Sequence, residues 1–200
     1  MAQGKLYRAV YEIAEGQQGY FTASQVTAAG VPGAHLPDML RRGVVERVSR
    51  GVYRLAAYPR PVTAQYMEAS LWPGSHSRDV QGVISHESAL AFHELSDVSP
   101  SKIHITVPRA LRIRRVVPRY LLVHHADLDP AEIEWHDGMP VTTPVRTIRD
   151  SHAAHAGPAL MRQAIDDARR RGLIPAREAD ALEAELFGVA LDTSARASLR

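Results

Sequence analysis

The sequence contains no cysteine. That absence excludes a disulfide-stapled scaffold, cysteine-ligated zinc or iron–sulfur centres, and a thiol nucleophile. Lysine is almost as scarce: of the 24 Lys and Arg residues, only Lys5 and Lys102 are lysines. Arginine makes planar bidentate bonds to phosphates and guanine edges, so the bias suits nucleic acid, although a GC-rich coding bias would give the same excess. Long apolar runs are also missing. The longest uncharged window, residues 16–37, is rich in Gln, Thr, Ser, Gly and Pro and cannot build a membrane span. The first residues run directly into the charged amphipathic stretch Lys5 to Glu15, so no secretory leader and a cytoplasmic location are expected. What remains is an ordinary globular composition, 45% hydrophobic and 23% charged over 200 residues, enough for one domain or two small ones.

The first 57 residues read as three short helices and a hairpin. Leu6, Val10 and Ile13 recur at helical spacing until Gly16 to Gly19 stops them. Thr22 or Ser24 can cap a second helix carrying Val26 and Ala29, and Gly30-Val31-Pro32-Gly33 makes a turn. Leu36, Met39 and Leu40 form a third apolar stripe ending at Gly43. Val44 to Val48 and Val52 to Leu55, around Ser49-Arg50-Gly51, read as a β-hairpin. This order is that of a winged helix-turn-helix. Tyr58-Pro59-Arg60-Pro61 sits in an expected linker, 58–62, because two prolines continue neither a ladder nor a helix.

Residues 63–188 read as a mixed α/β domain, which makes the expected class α+β: a winged helix followed by an α/β domain ending in helices. A helix is expected from Ser85, as its cap, to Glu94. Strands are expected at Ile103 to Val107, Arg119 to Val123, Glu132 to Trp135 and Pro140 to Thr142. Thr143-Pro144 is a capping hydroxyl followed by an N1 proline, for a helix to about His155. Helices Pro158 to Arg171 and Pro175 to Phe187 follow, the last closed by Gly188, with a frayed tail expected at 189–200. Charge is segregated here. Lys102 to Arg119 carries six cations and no acid, whereas Tyr120 to Pro140 carries five acids and no Lys or Arg. Either the two stretches pair across a sheet, or one face meets a polyanion and another repels it.

The basic cluster on the winged helix carries the functional reading. Arg41 and Arg42 end the third helix, and Arg47, Arg50 and Arg54 lie on or near the wing, with Glu46 the single acid beside the wing arginines. In such a fold the third helix enters the major groove and the wing tracks the backbone. His35 and Asp38 are candidates for the base-facing side. Thr22, Ser24 and Gln25 are candidates for binding phosphate through hydroxyls and free N–H groups. Pro37 falls inside the expected recognition helix, so that helix either starts near Leu36 or is kinked. The competing reading is a winged helix that holds a partner protein instead of DNA.

Other chemistries find little support. Nine of the ten histidines lie beyond residue 75, among them His86, His93, His124, His125, His136, His152 and His155. They lack a metal-ligand spacing, so no metal or cofactor is expected. Neither lysine follows a carboxylate at the spacing of a two-metal nuclease, and no phosphate loop, nucleophile elbow or dinucleotide fingerprint is present. No catalysis is expected. Arg169-Arg170-Arg171 has a local explanation as a solvated helix end, with Asp166–Arg170 and Asp167–Arg171 as i,i+4 pairs.

Two sets of residues resemble a known family. Gly19-Tyr20-Phe21-Thr22-Ala23-Ser24-Gln25 and Leu40-Arg41-Arg42-Gly43-Val44 through Arg50-Gly51-Val52-Tyr53-Arg54 are similar to the winged helix of AbiEi-type antitoxins. Ile84-Ser85-His86-Glu87, Ile103 to Pro108 and Pro140 to Thr147 are similar to that family's C-terminal region. Arg149 departs from it, standing where an apolar residue is expected. The resemblance implies an antitoxin and autorepressor that binds inverted repeats in its promoter as double-stranded DNA. It also implies a nucleotidyltransferase-like toxin as partner, often countered without a stable complex, and no membrane. It points to Arg41, Arg42, Arg47, Ser49 and Arg50 for DNA. Arg109, Arg112, Arg114 and Arg115 are candidates for a second DNA surface. Some similar chains continue into a nuclease-like domain; this one stops at Arg200, which points to regulation over cutting.

Overall fold

The computed structural model describes residues 2–30, 35–75 and 80–188, with side chains from Tyr7 onward. The expected turn at 30–33 falls mostly, and the expected tail at 189–200 wholly, outside these residues. The chain forms two compact units, one of residues 1–84 and 101–142, the other of 85–100 and 143–200.

The first unit opens with α1 (Ala2–Glu15), β1 (Tyr20–Thr22), α2 (Ala23–Ala28), α3 (Leu36–Arg41) and the hairpin β2 (Val45–Ser49) and β3 (Val52–Leu55). Thr22 caps α2: its side chain accepts from Gln25 N, while the Gln25 side chain accepts from Thr22 N at 2.8 Å. This reciprocal pair satisfies two N–H groups that the helix leaves open. Pro37 lies in the first turn of α3, where a missing N–H costs nothing, so the helix starts late rather than kinks. Val10, Phe21, Val26, Met39, Val45 and Leu55 bury a common core, with Phe21 stacked on Tyr53. β1 joins the hairpin as a third antiparallel strand, in the order β1-β3-β2.

The same unit continues through α4 (Ala64–Leu71) into a five-stranded sheet, so Pro59 and Pro61 do not coincide with a boundary between compact units. The sheet is built from β4 (Val83–Ile84), β5 (Ile103–Val107), β6 (Leu121–His125), β7 (Ile133–His136) and β8 (Met139–Thr142) in the order β6-β5-β4-β8-β7. The strand expected at Arg119 to Val123 sits two residues later. It pairs parallel to β5, which requires the long crossing loop 108–120. The β7–β8 turn packs directly on the end of α1: a Cβ on Gly138, whose φ is +78°, would overlap the Gly16 carbonyl oxygen.

The second unit is helical: α5 (His86–Phe92), α6 (Pro144–Ala153), α7 (Pro158–Arg170) and α8 (Ala176–Phe187), packed around Leu90, Leu95, Ile148, Met161, Ile165 and Leu182. Thr143 caps α6 and Gly188 closes α8 in the left-handed conformation, φ 66°. Ser85 occupies the cap position of α5, but its hydroxyl bonds His86 Nδ1 and makes no cap bond. Arg149 is exposed and makes a two-pronged pair with Glu185, leaving Ile148 to fill the core. The pairing expected at the end of α7 is replaced. Arg170 reaches Asp167 three residues back, Arg169 reaches Asp180 on α8, and Arg171 reaches Glu94. Asp167 is buried because it also accepts from Ser96 N at 3.0 Å, so its orientation follows the fold and not the helix repeat.

Candidate nucleic-acid interface

Strand alternation decides which wing arginines face outward. On β3, Tyr53 and Leu55 face the helical core, while Val52 and Arg54 face the opposite side of the sheet. Arg54 is therefore only 6% exposed. Its Nε donates to Glu46 Oε2 at 2.8 Å, directly across the ladder, and its remaining N–H groups reach the Tyr58 and Ala56 carbonyls. The guanidinium that the sequence places on the DNA face is instead a buried tie. The bonds from Arg54 and then Arg60 hold the Glu46 carboxyl below its usual pKa.

Arg47 and Arg50 are exposed. A bulge between Arg47 and Ser49 lets β2 bend at the wing, and the two arginines line an open groove of about 500 Å³. The facing wall is α2, through Ser24 and Thr27, with Tyr53 between. The arrangement presents two cations and two hydroxyl-bearing positions to one concave strip, the geometry that suits a phosphate backbone. Thr27 joins the groove without a motif of its own in the sequence. Its spacing of three residues from Ser24 on a helix was the available signal.

The other expected contacts are more engaged. Thr22 is buried with its oxygen in the capping box, Gln25 closes that box, and the Ser24 hydroxyl donates to Gly74 O at 2.6 Å. Ser49 is half-buried, beside the bulge. On α3, His35 and Arg41 are exposed, Leu36 and Met39 face the core, and Arg42 follows the helix. Asp38 lies between the two cations, at 2.5 Å from Arg41 and 3.0 Å from Arg42. This carboxylate orients both guanidinium groups and offsets part of their charge.

The second basic stretch divides in the same way. Arg115 turns inward: its guanidinium lies 3.9 Å over the Trp72 ring and donates to the Ser75 hydroxyl at 2.8 Å and to the Trp72 carbonyl. Ser75 in turn abuts Gly51 at the wing tip. Arg115 thus braces the segment on which the wing rests. Burial, then the nearby Arg50 charge, lower its pKa. Arg109, Arg112 and Arg114 line an open cleft beside β6 with Leu111, Val117 and Leu121.

No helix among the described residues is long and apolar enough to cross a membrane. A comparison with curated proteins gives no match. The fold is similar to the crystal structure of the RV2827C protein from Mycobacterium tuberculosis, with a TM-score of 0.50 and 18% identity over 89% of this chain and 70% of that one. That likeness supports the mixed architecture, a winged helix followed by a sheet and terminal helices. Residues 8–56, which hold the core of the winged helix together with the wing, match the AbiEi antitoxin family of transcriptional regulators. In that segment, about a quarter of its length, the chain is similar to the transcriptional regulators of the AbiEi antitoxin family.

Proposed function

We propose that this chain is an antitoxin and transcriptional autorepressor that acts by binding, not by catalysis, in the cytoplasm where its promoter lies. Residues 1–57 bind inverted repeats in the promoter of its own operon. Residues 63–188, reached through 58–62, counteract a nucleotidyltransferase-like toxin encoded beside it. The observation that carries the DNA reading is the outward pair Arg47 and Arg50 facing Ser24 and Thr27 across one groove, on a segment that matches a regulator family. Arg41, Arg42 and His35 on α3 supply the base-facing side, and Ser49 belongs to the wing contact. Arg54, Arg115, Thr22 and Gln25 act indirectly, by holding the wing and α2 in place.

The test is binding of the purified chain to its own upstream DNA against a scrambled duplex at two salt concentrations. The two groove arginines, Arg47 and Arg50, on phosphates give a log–log salt slope of roughly −2. Arg47→Ala and Arg50→Ala each reduce that slope by about one and weaken all duplexes alike. A slope near zero, or equal affinity for both duplexes, refutes the repressor. The toxin half is tested separately by co-expression with the neighbouring gene product. An Arg47→Ala, Arg50→Ala double variant that still protects cells separates neutralisation from repression.

A further inference from the structure

The loop 108–120 and the strand it leads into, β6, line an open cleft of about 990 Å³. The lining holds three exposed arginines, Arg109, Arg112 and Arg114, and no carboxylate. Among the described residues none of the three guanidinium groups is paired with an acid; Arg109 bonds Asp127 through its backbone N–H alone, at 3.1 Å. Most of the remaining lining is aliphatic, from Leu111, Ile113, Val117, Leu121 and Val123, and no Phe, Tyr or Trp contributes to it.

β6 is an outer strand of its sheet, paired on one side only, with β5. Two bonds fix which of its backbone groups that pairing uses. Ile103 N donates to Tyr120 O at 2.8 Å, and Ala126 N donates to Val107 O at 3.0 Å. Along a strand the N–H and C=O of one residue point to the same side, and the side alternates. Tyr120, Leu122, His124 and Ala126 therefore face β5, whereas Leu121, Val123 and His125 face the open edge. The Leu121 N–H turns back to Pro118 O at 2.9 Å. Val123 and His125, both in the cleft lining, have no partner for their backbone N–H and C=O groups among the described residues. Such edges are commonly blunted by charge or proline on the strand itself, and β6 carries neither.

We propose that this cleft takes an extended, acidic segment of a partner protein, which adds to the sheet as a further strand beside β6. Main-chain bonds to Val123 and His125 attach it, and its carboxylates meet Arg109, Arg112 and Arg114, whose planar forks match them. Side chains alternate along an added strand, so one set reaches the arginines while the other covers the aliphatic lining. Nucleic acid fits this cleft less well. A phosphate only accepts hydrogen bonds, which leaves the Val123 and His125 carbonyls unanswered, and the lining offers no Phe, Tyr or Trp on which a base could stack. The cleft shares no lining residue with the Arg47 and Arg50 groove, so the inference does not rest on the DNA reading.

Fluorescence anisotropy tests it, with the full chain and a labelled peptide of alternating Glu and Val, about eight residues long so that it exceeds the roughly 17 Å of β6. Saturable binding is expected, weakening as salt rises, and the same peptide with Lys in place of Glu binds at least about tenfold more weakly. Arg112→Ala combined with Arg114→Ala, both at exposed positions, weakens the Glu peptide by roughly tenfold. Val123→Pro replaces an N–H that faces the open edge, so binding is lost while the bonds to β5 and the circular dichroism are kept. The Glu peptide N-methylated throughout keeps every side chain but has no N–H to donate. It binds at least about tenfold more weakly, a result that needs no change to the protein. Absence of saturable binding overturns the proposal. So does equal binding of the Lys or the N-methylated peptide, or folded variants that bind like wild type. An oligothymidine that binds more tightly than the peptide, with the same arginine dependence, overturns it and assigns the cleft to nucleic acid. Self-association of the chain that Val123→Pro abolishes overturns it in favour of a second copy.

Discussion

Gly51, at the tip of the wing, sits so close to Ser75 that a Cβ at position 51 would lie 2.4 Å from the Ser75 carbonyl oxygen. Its φ of +82° already favours glycine, and its own carbonyl accepts from Ala23 N at 3.0 Å. One residue therefore joins the wing, α2 and the 72–75 segment that Arg115 braces.

Gly51→Ala is accordingly expected to lower stability by about 1–3 kcal/mol from backbone strain, with the displaced carbonyl adding to it. Thermal unfolding measures this. DNA binding should fall as well, although no arginine has been touched. An unchanged midpoint would mean that the wing tip is free of Ser75.

The inward arginine separates stability from binding. Arg54→Met should cost about 1–3 kcal/mol, because the Tyr58 and Ala56 carbonyls and Glu46 lose their donor. Arg47→Ala should leave stability within about 0.5 kcal/mol while weakening DNA. Glu46 has a lowered folded pKa, so its pairing stabilises the protein above the ordinary carboxylate range, and that contribution is lost as pH falls through the folded value. Glu46→Gln should flatten the acid limb of a stability–pH curve.

Asp38 holds Arg41 and Arg42 and offsets their charge. Asp38→Asn should raise affinity for any duplex by up to about tenfold at low salt and steepen the salt slope. Discrimination between promoter and scrambled DNA should shrink, since the guanidinium groups lose their orienting partner. Fluorescence anisotropy on both duplexes reads the two effects together.

His124 and His104 face each other at 3.2 Å in the sheet. Burial, then the neighbouring His104 and His125, push the His124 pKa down to about 4 from an ordinary 6.5. The folded state thus binds its proton later than the unfolded chain does. Stability is full above pH 6.5 and declines as pH falls toward 4. His124→Gln should flatten that window, and an NMR titration of His124 should show a neutral ring down to about pH 4. A midpoint near 6.5 would place the ring in water.

Local chemistry explains which parts were readable beforehand. The capping hydroxyls Thr22 and Thr143, the Gly188 stop and the two β-branched runs around Gly51 act within a few residues, and the structure has each in place. β1 and β4, of three and two residues, are too short to show a period of two. α4 was also missed. Its Met67, Ala69, Ser70 and Leu71 are all buried, so it has no clean polar face to reveal a helical repeat.

The sequence by itself determined the winged helix, the terminal helices, the charge segregation and the cluster of arginines, because propensity, capping and composition are properties of neighbours along the chain. Only the tertiary structure decided which arginines face outward. Arg54 and Arg115 lie in the same basic runs as Arg47 and Arg114, yet ladder register turns one toward Glu46 and packing lays the other over Trp72. Side-chain direction depends on which strand or ring lies opposite, and that partner is distant in sequence.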